Sequence, residues 1–177
     1  MLLRHVALVS ESESVNFKSL MRVSAALQKQ AIKDLGPIWN IKATVDAFES
    51  LDDVPIGYWP IVIRDDIHVR AAGIHEDKDG QPFALVQAGP GWSLTASHEN
   101  LEMLVDPFGR RLASGQSPIE EQGRVEFLVE VCDPSEDAAF GYTVNGVLVS
   151  DFYTPEYFNP VVNPGVRHSF TGAIKRP

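Results

Sequence analysis

Apolar and polar positions along this chain follow two periods, and the switches between them mark its elements. His5 to Ser10 reads as an apolar strand. From Ser14 onward Phe17, Leu20, Met21, Val23, Leu27, Ile32 and Leu35 recur at helical spacing, and Gly36-Pro37 is predicted to end that helix. Ile41 to Phe48 alternates with period two and carries β-branched residues, the pattern of a half-buried strand, and Tyr58 to Ile63 is read as another. Asp77-Lys78-Asp79-Gly80 falls between Ala71–His75 and Pro82–Gln87 like the connection of a hairpin. Taken as a calcium loop, Asp77 and Asp79 lack the later ligands and the bidentate Glu of an EF-hand.

Gly89-Pro90-Gly91 breaks the chain ahead of residues 93–105, a stretch without Gly or Pro in which Leu94, Leu101, Leu104 and Val105 keep helical spacing. Pro107 and Gly109 end this predicted helix, because the residue before a proline is disfavoured in the α region. Arg110 to Gln122 reads as a polar loop. Val125 to Val131 fits either a strand with Val125, Phe127, Val129 and Val131 on one face, or a helix with Glu126, Glu130 and Asp133 together. Asn145-Gly146 supplies the two positive-φ positions of a type I′ turn and makes Tyr142 to Val149 a hairpin. Thr154 and Pro155 suit the N-cap and first position of a short helix. With no internal repeat and no linker, residues 1–177 are expected to form one α+β domain.

Composition narrows the partners. The chain has 177 residues, 44% of them hydrophobic, enough to bury about 70% of its unfolded surface in one core. Fifteen Lys and Arg against 24 Asp and Glu leave a net charge of −9. The only basic pairs are Arg110-Arg111 and Lys175-Arg176, so a nucleic-acid backbone would be repelled. No apolar run approaches the ~20 residues of a membrane span, and no basic n-region or cleavage site precedes Glu11 and Glu13; a cytoplasmic protein without membrane partners is expected. Cys132 is alone, which excludes an internal disulfide and a Cys-rich zinc site. Any metal must be held by His, Asp and Glu.

The chemistry concentrates in the helix over about 93–105. His98 and Glu102 stand one turn apart, about 6 Å along the axis and on one face, the geometry of a two-ligand metal clamp. In the zincin motif His-Glu-x-x-His the intervening Glu is the general base for a metal-bound water, the place taken here by Glu99. Glu102 replaces the second His; a carboxylate is an acceptable zinc ligand, though it leaves the bound water less acidic. The five-residue pattern alone also suits an amphipathic helix whose polar face carries these groups.

The longer string His98-Glu99-x-x-Glu102-x-x-x-Asp106-Pro107, followed by Glu130-Val131-Cys132, resembles the His-Glu helices of bacterial peptidase-like proteins and of the plant phosphate-induced (exordium-like) proteins. The predicted order of strand, helix, strand, strand, hairpin and His-Glu helix is similar to the metzincin half of the zincins. This resemblance implies a zincin-like fold and a zinc-dependent peptidase acting on peptide or protein substrates. It also points to Glu130 as third ligand, then Asp133. The metzincin extension after the motif and the Met-turn are both absent, so that ligand cannot be copied from them. Asp106 lies two turns, about 12 Å, from His98, beyond the reach of one ion on a straight helix, and is expected to support the site or end the helix. The strand Pro82–Gln87 is expected at the sheet edge, where it would hold an extended substrate.

Other groups receive no role. His5, His68, His75 and His168 are isolated in sequence, Ser97 lacks a nucleophile elbow, and the acidic surroundings of Cys132 disfavour a thiolate. Tyr142, Tyr153 and Tyr157 are candidate oxyanion donors among which nothing selects. The competing functional reading is a catalytically inactive zincin-fold binding module, with or without metal. The sequence leaves substrate, metal identity and oligomeric state open.

Overall fold

The computed structural model describes residues 2–117, 119–159 and 163–174, so the basic pair Lys175-Arg176 lies outside the described residues. Helices and strands are mixed around a five-stranded sheet. Its strands are β1 (Leu3–Ser10), β2 (Lys42–Ala47), β3 (Trp59–Arg64), β4 (Gly73–Lys78) and β5 (Gln81–Gln87). They lie in the order β2-β1-β3-β5-β4. β1 pairs in parallel with β2 and β3, β3 pairs in parallel with β5, and β4 alone runs antiparallel at the edge. Pro82–Gln87 is therefore not an edge strand: β5 is paired on both sides, and the free edge belongs to β4. Its burial shows why, since Pro82, Ala84 and Val86 are all interior.

Residues paired directly across strands share a face. The register thus lays a row Ala47, Leu8, Ile61, Ala84, His75 across the sheet, with Ile63, Val86 and Gly73 in the next. Leu8, Ile61, Ile63, Ala84 and Val86 are fully buried. Two helices cover this face. α1 (Phe17–Gln30) packs on β1 and β2, and α3 (Trp92–Val105) packs on β5 and β4. His75 and Gly73 are the last members of their rows, beneath α3.

The first helix starts at Asn16, whose Oδ1 accepts the Ser19 N–H, two residues later than Ser14. It does not stop at Gly36-Pro37. A π turn over Ala31–Leu35 widens the hydrogen-bond register and accommodates the proline, which has no N–H to donate. α2 (Gly36–Trp39) then continues to Asn40, which closes it in the left-handed region at φ 56°.

Residues 110–122 are not a loop throughout. β6 (Leu112–Gln116) pairs antiparallel with β7 (Arg124–Leu128), so the segment from Val125 is a strand as far as Leu128, and Val131 lies in the bend that follows. Gly115 makes that pairing possible, since a Cβ there would stand 2.8 Å from the Phe127 ring. β8 (Tyr142–Val144) and β9 (Val147–Val149) form the Asn-Gly hairpin, with φ 50° at Asn145 and 71° at Gly146. Pro155–Phe158 is a 3-10 turn, and the Thr154 hydroxyl donates to the Arg167 carbonyl instead of capping it. Among the described residues no helix is long and apolar enough to cross a membrane.

Candidate metal centre

α3 begins at Gly91, which takes φ 86° to turn the chain out of the Gly-Pro-Gly break. From Glu99 to Val105 every residue of α3 is buried. Glu99 is 5% exposed and Glu102 3%, so the acidic side of this helix is not a solvated polar face. Buried carboxylates need partners or a cation.

Both sources of partners are close. His98 Nε2 lies 3.1 Å from Glu102 Oε2 and 3.4 Å from Asp133 Oδ1. The other oxygen of Glu102, Oε1, accepts the backbone N–H of Cys132 at 2.9 Å, which fixes the carboxylate with Oε2 toward His98. Asp133 follows Cys132 directly and opens a 3-10 turn in which the Ser135 N–H bonds to the Cys132 carbonyl. Val129, Val131 and Cys132 are buried, and Glu130, on the opposite side of the extended chain, turns toward the helix.

His75, given no role by the sequence, sits inside the cluster with a side chain 6% exposed. Its Nδ1 is 3.5 Å from Glu99 Oε2 and 3.7 Å from Glu102 Oε2, and its Nε2 is 3.9 Å from Glu130 Oε2. Nε2 also stands 3.2 Å from the Asp106 carbonyl. The only sequence signal was positional: Gly73 and His75 occupy alternate places in the first strand of the hairpin whose second strand leads into the His-Glu helix. Gly73 belongs to the same arrangement, because a Cβ there would come within 2.5 Å of Glu99 Oε1 and 2.6 Å of Thr95 Cγ2.

Asp106 is buried at the end of α3, where its Oδ2 accepts the Arg111 N–H at 2.6 Å and its carbonyl meets His75. It ends the helix and orients a neighbour. Ser97 bonds to Gln30 Oε1 and accepts the Ser150 N–H, a structural role. Cys132 is fully buried, and that burial, with Glu102 nearby, pushes its thiol well above the ordinary range. Tyr142 donates to Asp34 and the Tyr153 ring lies tilted against Tyr157; none of the three tyrosines lines the cleft.

Protonation follows from crowding. Burial opposes charge on His98, but hydrogen bonds to Asp133 and Glu102 and the charge of Glu102 outweigh it, pushing its pKa up to about 10. His75 is raised in the same way, burial being overcome by Glu99, Glu102 and Glu130. Burial raises Glu99, with the His75 hydrogen bond partly offsetting it. Burial and the charge of Glu102 bring Glu130 up to about 7, while the hydrogen bond from His98 lowers Asp133.

Two donor sets converge here. The ligand atoms of His98, Glu102 and Asp133 lie within 4.8 Å of one another, as do those of His75, Glu102 and Glu130, and no set contains both imidazoles. Donors at zinc bond lengths in a tetrahedron are about 3.3 Å apart. The separations of 3.1 and 3.4 Å around His98 Nε2 match that spacing, and Glu102 and Asp133 lie within 4.8 Å of each other. The groups face a cleft of about 610 Å³ between the start of β4, α3 and residues 128–136. No family model matches the chain, and neither a curated protein nor a solved structure matches it.

Proposed function

We propose that this chain is a metal-dependent, zincin-like peptidase, with His98, Glu102 and Asp133 as the donors of a zinc ion and Glu99 as general base. The observation that carries the reading is the spacing around His98 Nε2, 3.1 Å to Glu102 and 3.4 Å to Asp133, at the floor of an open cleft. Glu130, favoured over Asp133 by resemblance, groups with His75 instead of His98. A bound zinc ion would supply Lewis-acid chemistry, polarising the scissile carbonyl and lowering the pKa of water.

The chain's own residues supply the remainder. Glu99 lies one residue from His98, rotated about 100° around the helix, so it flanks the donors without joining them. Its raised pKa brings a carboxylate toward neutrality, where it accepts a proton from the attacking water and delivers it to the leaving amine. Gly73 admits the Glu99 side chain, which a Cβ at that position would displace. β4 has one sheet partner only, and its free backbone groups adjoin the cleft, where an extended peptide would add as a further strand.

The test is metal content. Purified protein is expected to hold at least one tight equivalent of zinc, lost with activity in His98→Ala, weakened in Asp133→Asn and retained in Asp106→Asn. Undiminished tight binding in His98→Ala would overturn the assignment.

A further inference from the structure

The cluster holds more donors than one ion uses. Glu99, Glu102 and Glu130 converge on the cleft beside the more exposed Asp133, and a single dication among four carboxylates leaves an excess of negative charge. Glu130 Oε2 is buried with no hydrogen-bond partner. The ring of His75 adds an independent observation. The Asp106 carbonyl can only accept a hydrogen bond, so the contact of 3.2 Å places a proton on Nε2. In the neutral ring this aims the Nδ1 lone pair at two carboxylate oxygens, Glu99 Oε2 at 3.5 Å and Glu102 Oε2 at 3.7 Å. A lone pair facing anions is unfavourable unless a cation or proton lies between them. An imidazole whose far nitrogen is tied to a backbone carbonyl is also the usual arrangement of a metal-ligating histidine.

We propose that His75, Glu102 and Glu130 hold a second divalent cation, with Glu102 shared between the two ions. This rests on the reading of Glu102 as a metal ligand. His75 and His98 do not fall within one donor set, so a single ion does not serve both rings as they stand. The second position is the looser one: Nδ1 is 3.7 Å from Glu102 Oε2, while Glu130 Oε2 stands 3.9 Å from the other ring nitrogen and must swing toward Nδ1 to ligate. It fills after the first and empties first on dialysis. A carboxylate bridging two cations is the arrangement of two-metal hydrolytic sites, in which both ions stabilise charge on the reacting group.

The experiment is titration of the chelator-stripped chain with zinc, read by calorimetry and by metal analysis after gel filtration. It is repeated with cobalt(II), whose magnetic coupling reports two adjacent ions. The wild type is expected to take two equivalents, the second at least tenfold weaker. His75→Ala and the conservative Glu130→Gln should each take one, keeping the tight equivalent. Glu130→Gln guards against misfolding, since it preserves size and hydrogen-bonding capacity. A single equivalent in wild type, lost in His98→Ala but unchanged in His75→Ala and Glu130→Gln, would overturn the second site and leave the peptidase reading standing. One equivalent lost in both histidine variants would also overturn it, as a single ion between the two rings. Absence of any binding would overturn both readings.

Discussion

Each acidic side chain in the cleft is stabilised or strained by one or two identifiable neighbours, and those neighbours set what substitutions do. Gly73 has ordinary backbone angles, so alanine costs nothing there in conformation, yet its methyl would meet Glu99 Oε1 at 2.5 Å. Gly73→Ala is expected to retain tight zinc but lose roughly 10–100-fold in turnover, because Glu99 must move; unchanged turnover would show that Glu99 is not held there. A pH effect follows from His98. Its folded pKa of about 10 lies above the unfolded value, so its contribution is fully present below about 6.5 and is lost as pH rises through about 10. Thermal melts of the metal-free chain should therefore show stability falling across this window, His98 contributing up to about 1.4 kcal/mol per pH unit, a slope that His98→Ala reduces while the part due to the likewise raised His75 remains. Glu130, raised to about 7, adds a fall of the same sign between about 4.5 and 7. Equal slopes in wild type and His98→Ala would contradict the assignment. His98 and Glu102 were legible because helical spacing puts them on one face, and Glu99 because it holds the base position of the His-Glu motif. Glu130 and Asp133 came only from resemblance. His75 was illegible, since what brings it to Glu99 is a lateral row through three other strands, invisible in any local window.

At the scale of elements, the sequence marked the beginnings and ends of most helices and strands but not their neighbours. The Asn145-Gly146 hairpin was legible because two positive-φ residues dictate one turn. β6 was missed because Leu-Ala-Ser-Gly-Gln has no apolar alternation and becomes a strand through pairing with β7. The edge was misplaced for a similar reason: in a hairpin either strand can face outward, and only the parallel pairing of β3 with β5 decides. A buried polar network ties α3 to its surroundings. Gln30 donates to the Ser150 carbonyl and to Tyr142, and accepts from Ser97, which precedes His98. Gln30→Leu would leave the Ser150 carbonyl without its donor and the Ser97 hydroxyl hydrogen without an acceptor, although Ser97 Oγ still accepts the Ser150 N–H. A loss of about 1–3 kcal/mol is expected by urea denaturation, with weakened zinc binding. A variant as stable as wild type would mean that water replaces the bonds.

Across the whole molecule the net charge is −9, and the cleft sets Glu99, Glu102, Glu130, Asp133 and Glu136 against Arg70 and two imidazoles, an acidic balance that favours cations and cationic peptides. Peptides carrying Lys or Arg should be cleaved with lower KM than acidic ones of equal length, and that advantage should shrink as salt is raised. Identical KM values across charge and ionic strength would place substrate binding outside the cleft. The central claim is that Glu99 acts chemically on a substrate at a metal centre it does not itself build. The most direct measurement is cleavage of a peptide library by wild type and Glu99→Gln at matched zinc occupancy. We expect cleavage by the wild type and a fall of roughly 10²–10⁴-fold in the variant with zinc retained. Equal cleavage by the two, or none by either, would contradict the peptidase reading and leave a metal-binding module without catalysis.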